Sequence, residues 1–300
     1  MQVIIHSALL QGLVYAFMVL GVFITFRVLD FPDLSVDGSL PLGAAVTAAM
    51  IAGGQSPLLA TLTGVGAGLC AGFVTGFLHL LLKGDDSDAT NYGPKLLAGI
   101  LTMTALYTVN LRIMGRSNVP LLGVDVVFDK IGALFSVSMS GWNLIIGLAA
   151  LALVIKYLLD WLLHTEFGLC LQATGDNEGM IRAMGTNTNV TRIVGLGIAN
   201  ALVALSGSLV AQQQGFADVG MGIGTIVAGL AGVIMGEVLF GVRSVSWVLF
   251  SVIGGSIVYR LLIAVSLRLG IAPTDLKLLT AVLVVVALSV PTVRKKVMHS

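Results

Sequence analysis

The sequence predicts an all-α protein that crosses a membrane many times. Of its 300 residues, 57% are hydrophobic and only 10% are charged, and the mean hydropathy is +1.00, whereas about a quarter of the residues of a soluble domain are charged. Runs such as 144–154 are apolar on every face, while a membrane β-barrel alternates apolar and polar residues in strands of about ten. Membrane helices are therefore expected throughout.

A bilayer crossing takes about 20 mostly apolar residues. Nine segments meet that requirement, within a range of eight to ten: 8–29, 34–53, 57–82, 96–111, 142–163, 193–212, 223–240, 245–266 and 276–291. The N-terminus has no Lys or Arg before its first apolar run, so it lacks the charged start of a cleavable signal peptide. The first segment is expected to remain in the mature protein, and 1–300 is predicted to form one transmembrane domain.

The orientation follows from the excess of Lys and Arg in cytoplasmic loops. With the basic C-terminus inside, nine crossings place the N-terminus outside, and ten of the 16 Lys and Arg residues then fall in cytoplasmic segments. In this topology the polar loops 84–94 and 164–192 are cytoplasmic. The polar connection 112–141 lies outside, as a surface helix or a docking rim. One span fewer would redistribute the charges.

Several classes of function are excluded. A net charge of +1 offers no basic surface to bind nucleic acid. Cys70 and Cys170 form no CxxC pattern, the four histidines are scattered, and neither HExxH nor GxSxG occurs, so no metal site and no catalytic residues are predicted. No Gly-Lys pair occurs, so the chain has no phosphate-binding loop for ATP.

The chain also contains a weak internal repeat. A shift of 185 residues superposes the first span on the sixth and the second on the seventh, an offset of five crossings that reverses the orientation. The identical pairs are Gly12 and Gly197, Ala16 and Ala201, Leu20 and Leu205, Phe31 and Phe216, Asp33 and Asp218, and Met50 and Met235. The pattern predicts two inverted four-helix units around a connecting span. Glycines spaced as Gly64, Gly68 and Gly72 predict close helix packing.

The 164–192 loop is predicted to contain a short helix at about 175–185. Thr174 or Asp176 can cap it, Glu178 favours its first turn, and Gly185 ends it. Such a helix presents Met180, Ile181 and Met184 on one side and must dock on something. The partner is either the protein's own underside or a groove in a separate cytoplasmic subunit.

Polar residues inside the spans are candidates for a solute pathway. Ser35, Asp37 and Ser39 open the second span at a helix N-terminus, whose free N–H groups can face a polar solute or its carboxylate; simple N-capping beside a cytoplasmic turn is the plainer interpretation. Thr104 and Asn110 in the fourth span either line a translocation route or bind neighbouring helices.

Two charged residues near span ends are expected to have structural roles. Glu237 lies near the cytoplasmic end of the seventh span, with Arg243 as its expected partner. Arg260 lies in the eighth span, where snorkelling or a structural pair is expected.

Three stretches resemble permease subunits of ATP-binding-cassette (ABC) importers of the branched-chain amino acid and ribose type. They are the 164–192 loop, the glycine-rich 229–241, and 33–39 at the entry to the second span. The resemblance covers about 8–291 and is closest to the branch associated with tryptophan or related small solutes. The polar loop 84–94 departs from it as a candidate insertion.

The resemblance implies a subunit that translocates a small solute, expected to be an amino acid, delivered by an extracytoplasmic binding protein. A separate cytoplasmic ATPase supplies the energy, so this chain is not an enzyme and needs no cofactor, because the partner uses the ATP. A chain of this size offers half a pore in this class, which implies a second copy or a paralogue beside it in the lipid.

The resemblance also assigns the short helix as the segment that seats in the ATPase. The residues so assigned are Asp176, Asn177, Glu178, Gly179, Met180, Ile181, Arg182, Ala183, Met184 and Gly185. Arg182 is expected to contact an acidic or backbone-carbonyl site on the ATPase.

Two other functions remain open. A secondary transporter driven by an ion gradient needs intramembrane carboxylates, whereas the acidic residues of this chain lie mostly at span ends. A membrane scaffold has no transport role. Co-purification of an ATPase would distinguish the importer from both.

Overall fold

A computed structural model describes residues 2–83, 92–130 and 141–271, together with 275, 278, 280–282 and 285. The helices are α1 (Gln2–Phe23), which continues as a π-helical turn (Ile24–Val28), α2 (Val36–Ala52), α3 (Pro57–Lys83), α4 (Tyr92–Met114), α5 (Trp142–His164), α6 (Glu166–Asp176), α7 (Glu178–Ala183), α8 (Thr188–Gln214), α9 (Thr225–Phe240) and α10 (Val245–Arg268). Two strands, β1 (Asn118–Pro120) and β2 (Phe216–Asp218), pair antiparallel, and a 3-10 turn (Val219–Gly222) follows β2.

The helices confirm the predicted class. Seven helical stretches of 22 to 27 residues are long and apolar enough to cross a membrane, and α2 is a shorter apolar helix of 17 residues. They correspond to the first eight predicted spans. The ninth, 276–291, falls largely outside the described residues. The sequence analysis missed the short strands, which tie the connection after α4 to the end of α8.

Helices α1 and α8 form the centre of the bundle. Phe17 and Leu20 of α1 and Val203 of α8 have no exposed surface, and the Ser206 hydroxyl of α8 donates to the Val14 carbonyl of α1 at 2.9 Å. The glycine stripe of α3 packs against α8 as the spacing predicted. At Gly72 an added Cβ would collide with the α8 backbone, so only glycine allows this approach.

The contacts of the inverted repeat recur between its two halves. The 185-residue shift carries α1 onto α8, α2 onto α9 and α3 onto α10. In one half, a Cβ added to Gly12 of α1 would lie 2.7 Å from the Cα of Ile257 in α10. The shift relates Gly12 to Gly197 and Ile257 to Gly72, and these two residues also meet: a Cβ added to Gly72 of α3 would lie 2.7 Å from the Cα of Gly197 in α8. The helices therefore pack equivalently in both halves.

The turns after the central helices repeat in the same way. Asp33 and Asp218 each accept the backbone N–H two residues further on, at 2.9 and 2.7 Å. Asp30, with φ of 48°, and its shifted counterpart Gly215, with φ of 78°, both adopt left-handed backbone conformations. These paired turns support the predicted repeat, with α5 as the connecting span.

Among the described residues, those predicted to be cytoplasmic lie at one end of the bundle, called here the basic end. Lys83 at the end of α3 contacts Glu178 of α7 at 2.9 Å, and Lys156 of α5 contacts Ser246 of α10. The strands lie at the opposite end, called the strand end. The alternation of the helices therefore agrees with the predicted topology.

The partner predicted for Glu237 was wrong. Arg27 binds Glu237 through two hydrogen bonds of 2.7 and 2.6 Å, because the π-helical turn carries Arg27 across to the last turn of α9. Arg243 lies beyond Gly241, whose φ is 78°, and its guanidinium stands 5.5 Å from the Trp247 ring centroid.

Arg260 has a structural role. Its guanidinium lies 3.5 Å from the ring centroid of Tyr15, which is a close cation–π contact between α10 and α1. Of the two expectations for Arg260, the structural pair is the one observed.

We expect Gly72→Ala to destabilise the protein, because the new methyl group meets backbone atoms of α8 that cannot move aside. Overpacking of this kind costs about 1–3 kcal/mol. Thermal unfolding in detergent measures the effect, with Gly66→Ala as the matched control, because an added Cβ at Gly66 meets nothing within 4 Å. Equal behaviour of the two variants would contradict the close α3–α8 packing.

Candidate functional site

Two consecutive helices, α6 and α7, form the polar segment at the basic end. The Thr165 hydroxyl accepts the Gly168 N–H at 3.2 Å and begins α6, and the Asn177 side chain accepts the Met180 N–H at 3.0 Å and begins α7. Gly185, with φ of 90°, follows the end of α7. Each helix thus has its own N-cap.

The capping prediction was wrong. Thr174 lies inside α6, where its hydroxyl donates to the Cys170 carbonyl at 2.6 Å, and Asp176 is the last residue of α6. The cap moves to Asn177, because the preceding residues are themselves helical and the extended backbone needed for an N-cap first occurs at Asn177, with φ of −155°.

The two methionines of α7 point outward and the isoleucine between them points inward. Met180 is 50% exposed and Met184 is 74% exposed, whereas Ile181 is 8% exposed. The prediction that all three share one side was therefore wrong for Ile181, which packs within the bundle. Met180 and Met184 are four residues apart and project from the same face of the α7 segment.

Glu178 holds α7 to the bundle. Its side chain is only 4% exposed, yet three cations surround it: Lys83 at 2.9 Å, Arg182 at 2.6 Å and Arg192 at 2.6 Å. Thr188 also donates to it, at 3.3 Å. The group, called the Glu178 cluster, joins α7 to the last residue of α3 and the first turns of α8.

The charges of the cluster fix the ionisation of Glu178. Burial raises the pKa of this carboxyl, but the hydrogen bond from Lys83 and the charge of Arg192 outweigh burial and lower its pKa to about 2. The carboxylate is therefore ionised at every physiological pH. A buried anion with three cationic neighbours is costly to separate from them.

Arg182 divides its side chain between the protein and the solvent. One terminal nitrogen donates to Glu178 and to the Thr188 hydroxyl, at 2.6 and 3.1 Å, while 47% of the side chain stays exposed. A contact between Arg182 and another protein must therefore use its remaining nitrogens.

A second candidate site is a cavity of about 420 Å³ between α2, α4 and the 3-10 turn, called the α2–α4 cavity. Its lining residues are Asp37, Gly38, Pro41, Met103, Thr104, Tyr107, Thr108, Asn110, Val219 and Ile223. This volume is in the range of small-molecule sites. Three of the five predicted pathway residues, Asp37, Thr104 and Asn110, line it.

Asp37 caps a helix other than its own. Its carboxylate accepts the Gly224 and Ile226 N–H groups, each at 2.8 Å, and the Thr225 hydroxyl at 3.0 Å. It therefore neutralises the N-terminus of α9 from the first turn of α2. The Gly224 and Ile226 N–H groups at the start of α9 are therefore satisfied by Asp37 and are not free to bind a solute carboxylate.

Asn110 lies in the wall of the cavity and is completely buried. Its amide nitrogen donates to the Gly38 carbonyl at 3.1 Å, while its buried Oδ1 has no hydrogen-bond partner in the part of the chain that the structure describes. Thr104 donates to the Ile100 carbonyl of its own helix at 2.8 Å. Tyr107 also lines the cavity and is 55% exposed.

Ser35 and Ser39 do not line the cavity. The Ser35 hydroxyl donates to Asn200 of α8 at 3.2 Å, and Ser39 is completely buried. The two serines are four residues apart and share a helix face that Asp37 does not occupy. Asn200 also donates to the Asp33 carboxylate at 2.8 Å. The sequence signals this contact only by placing the Asn200 amide within an apolar span.

No metal site is found within the described ranges, where no three His, Cys, Asp or Glu residues are grouped to bind an ion.

The bundle of apolar helices, a cavity with polar residues within the spans and two exposed helices at one end define a multi-pass membrane permease. The chain belongs to the family described as "Branched-chain amino acid transport system / permease component", whose model matches residues 4–288. This result confirms the resemblance found in the sequence. Members of the family are components of transport systems and not enzymes.

The chain is similar to named proteins over most of its length. It is 41% identical to a tyrosine transport system permease protein of Clostridioides difficile over 285 residues, or 95% of this chain and 90% of the relative. It is 32% identical to the uncharacterized protein RP368 of Rickettsia prowazekii, over 95% of this chain and 97% of the relative. The autoinducer 2 import permease LsrC of Escherichia coli is 30% identical over 69% of this chain and 56% of LsrC. No solved structure matches significantly.

We expect Glu178→Gln to destabilise the protein by about 3–5 kcal/mol at neutral pH, because it leaves three cations without their anion. The folded pKa of about 2 lies below the ordinary value near 4.3. The stabilisation by the carboxylate is therefore fully present above about pH 4.3 and declines as the pH falls toward 2. The difference in melting temperature between wild type and variant should be constant from pH 5 to 8 and shrink below pH 4.3.

Glu166→Gln is the control for this measurement, because Glu166 lies in the first turn of α6 and is exposed. A Glu178→Gln variant that melts like the Glu166→Gln variant at pH 7 would show that the cluster does not hold α7.

Proposed function

We propose that this permease imports an aromatic amino acid as a homodimer, with a cytoplasmic ATPase seated on α7 and a binding protein at the strand end. The observation that carries the proposal is the pair of exposed methionines on a helix whose base is fixed by the Glu178 cluster. A contact surface that is both exposed and anchored can pass a force from another subunit to the bundle.

The ATPase contact rests on the chemistry of the α7 surface. Met180 and Met184 are flexible, polarisable side chains suited to fill a groove on a partner, and they stand among polar residues. Residues 164–192 then act as the coupling segment. Within its predicted contact part, 176–185, the exposed Met180 and Met184 contact the ATPase, whereas the buried Glu178 and Ile181 hold the helix in place. Because Glu178 joins α7 to α3 and α8, a movement of α7 is transmitted to two helices of the bundle.

ATP is used by the partner. The sequence contains no phosphate-binding loop, and the family is that of a permease component. This chain therefore needs no cofactor of its own.

The proposed solute follows from the α2–α4 cavity. The free acceptor of Asn110 suits the ammonium group of an amino acid, and the exposed Tyr107 ring with Met103 suits an aromatic side chain. The name of the relative from C. difficile, a tyrosine transport system permease, is consistent with this solute.

The second copy is proposed from the same helix. One face of α4 exposes the hydroxyl-bearing side chains of Tyr107 and Thr108 in the middle of an apolar span, beside Thr104. Lipid satisfies no hydrogen bonds there. A second α4 covers these residues and closes the cavity into a shared pathway. The outward aromatic residues of α5, Tyr157 and Trp161, face lipid instead.

The binding protein is assigned to the strand end, which the topology places outside. Leu122, two residues after the end of β1, is 85% exposed, and a protruding apolar side chain at this end suits a protein contact. The residues around it form the docking rim.

The ATPase contact is tested by the double variant Met180→Asp, Met184→Asp. We expect it to lose capture of the cognate ATPase by about tenfold or more, because two buried apolar contacts become charged. Quantitative co-purification measures this loss, with Leu122→Asp at the strand end as the control that keeps full capture. Unchanged capture, or uptake that follows an ion gradient without ATP, would contradict the proposal.

The solute site is tested by Tyr107→Ala and Asn110→Leu. We expect either variant to reduce ATP-driven uptake of L-tyrosine into proteoliposomes by about tenfold, while ATPase capture is retained, since an aromatic contact or a charge-assisted hydrogen bond is lost. Tyr157→Ala removes an equally exposed tyrosine outside the cavity and should leave uptake intact. Equal losses in all three variants would exclude a specific site.

A further inference from the structure

A second cavity lies at the basic end and shares no lining residue with the α2–α4 cavity. It has a volume of about 470 Å³ and lies between the end of α1, α6 and the connection from α9 to α10. This space, called the basic-end cavity, is lined by Phe23, Arg27, Val28, Leu163, Gln172, Asp176, Glu237, Val242, Arg243, Ser244, Val245 and Val248.

The charges that line this cavity are balanced but incompletely paired. Arg27 and Glu237 satisfy each other through two hydrogen bonds. The side chains of Arg243 and Asp176 form no hydrogen bond or ion pair with any residue that the structure describes. The contact found for the Arg243 guanidinium is with the Trp247 ring. The cavity therefore offers one cation and one anion for a ligand and has no net charge.

The remaining wall is apolar. Phe23 of α1, Leu163 of α5 and Val248 of α10 are buried core residues that face the same space. A ligand that satisfies all three features carries a carboxylate for Arg243, an ammonium group for Asp176 and an apolar side chain for the wall. Anionic ligands such as nucleotides are disfavoured, because two carboxylates line the cavity.

We propose that the basic-end cavity binds a zwitterionic amino acid from the cytoplasm and that this binding slows import. The proposal rests on the proposed function, because the natural ligand is the imported product. Gln172 and Asp176 belong to α6, which adjoins α7. Arg243 lies in the connection from α9 to α10, and Val245 is the first residue of α10. A ligand across the cavity ties the coupling segment to α10 and restrains its movement.

The test uses the complete importer, with ATPase and binding protein, in proteoliposomes that take up labelled L-tyrosine. Unlabelled L-tyrosine inside the vesicles should slow uptake by wild type. In Arg243→Gln the half-inhibitory concentration should rise about tenfold or more, because one charge-assisted contact is lost, while uptake without internal solute stays normal. Val242→Trp, a substitution of a 64% exposed lining residue that fills the cavity, should act in the same way.

Two analogues test the zwitterion requirement. Internal tyramine, which lacks the carboxylate, and internal 3-(4-hydroxyphenyl)propionate, which lacks the ammonium group, should not slow uptake by wild type. Inhibition by either analogue at the concentration effective for L-tyrosine would overturn the assignment of ligand class.

The remaining outcomes separate this inference from the proposed function. If wild type imports no L-tyrosine, the proposed function has failed. If it imports L-tyrosine but internal solute slows wild type and Arg243→Gln equally, or not at all, the inference is overturned and the proposed function stands. Loss of ATPase capture in Arg243→Gln would show instead that the cavity receives a side chain of the ATPase.

Discussion

The buried carboxylate of Glu178 is the constraint on which the arrangement at the basic end depends. An isolated anion in this position would be unstable, but Lys83, Arg182 and Arg192 surround it, so the carboxylate and its cations stay together. The helix α7 has only six residues and could not hold a fixed position by its own hydrogen bonds. Its orientation, and the exposure of its methionines, follow from this electrostatic attachment to α3 and α8.

The attachment is effective because α8 is a central helix. It packs against α1, α2 and α3, and glycine on α3 brings two backbones into direct contact. The inverted repeat explains why α1 and α8 share the centre, since the same glycine-mediated approach joins α1 to α10 in the other half. The helices α2 and α9 begin after irregular segments within each half. Asp33 accepts the Ser35 N–H just before α2, and Asp37 accepts the Ile226 N–H in the first turn of α9. Interrupted helices of this kind are tolerated where they line a cavity.

Features set by local sequence could be predicted, and those set by distant partners could not. The spans follow from the length of apolar runs, and the glycine spacing of the third span predicts close helix packing but does not identify α8 as the partner. The predicted partner of Glu237 was wrong because the prediction used nearness in sequence, which favours Arg243. The observed partner, Arg27, is 210 residues away and is positioned by a π-helical turn. The predicted cap of α7 was wrong because Asp176 is itself the last helical residue of α6. The Glu178 cluster unites residues of three helices, and no pattern within 164–192 indicates it.

The two cavities are connected through one short stretch of chain. Val28 lines the basic-end cavity and Asp37 lines the α2–α4 cavity, and the residues between them are fixed by the Phe31 N–H bond to Thr25 at 2.8 Å and by the Asp33–Asn200 hydrogen bond. A displacement at the end of α1 is therefore carried to the start of α2 rather than absorbed by a loose loop. Since Asp37 also holds the start of α9, a displacement at the basic end can reach both helices that begin beside the α2–α4 cavity.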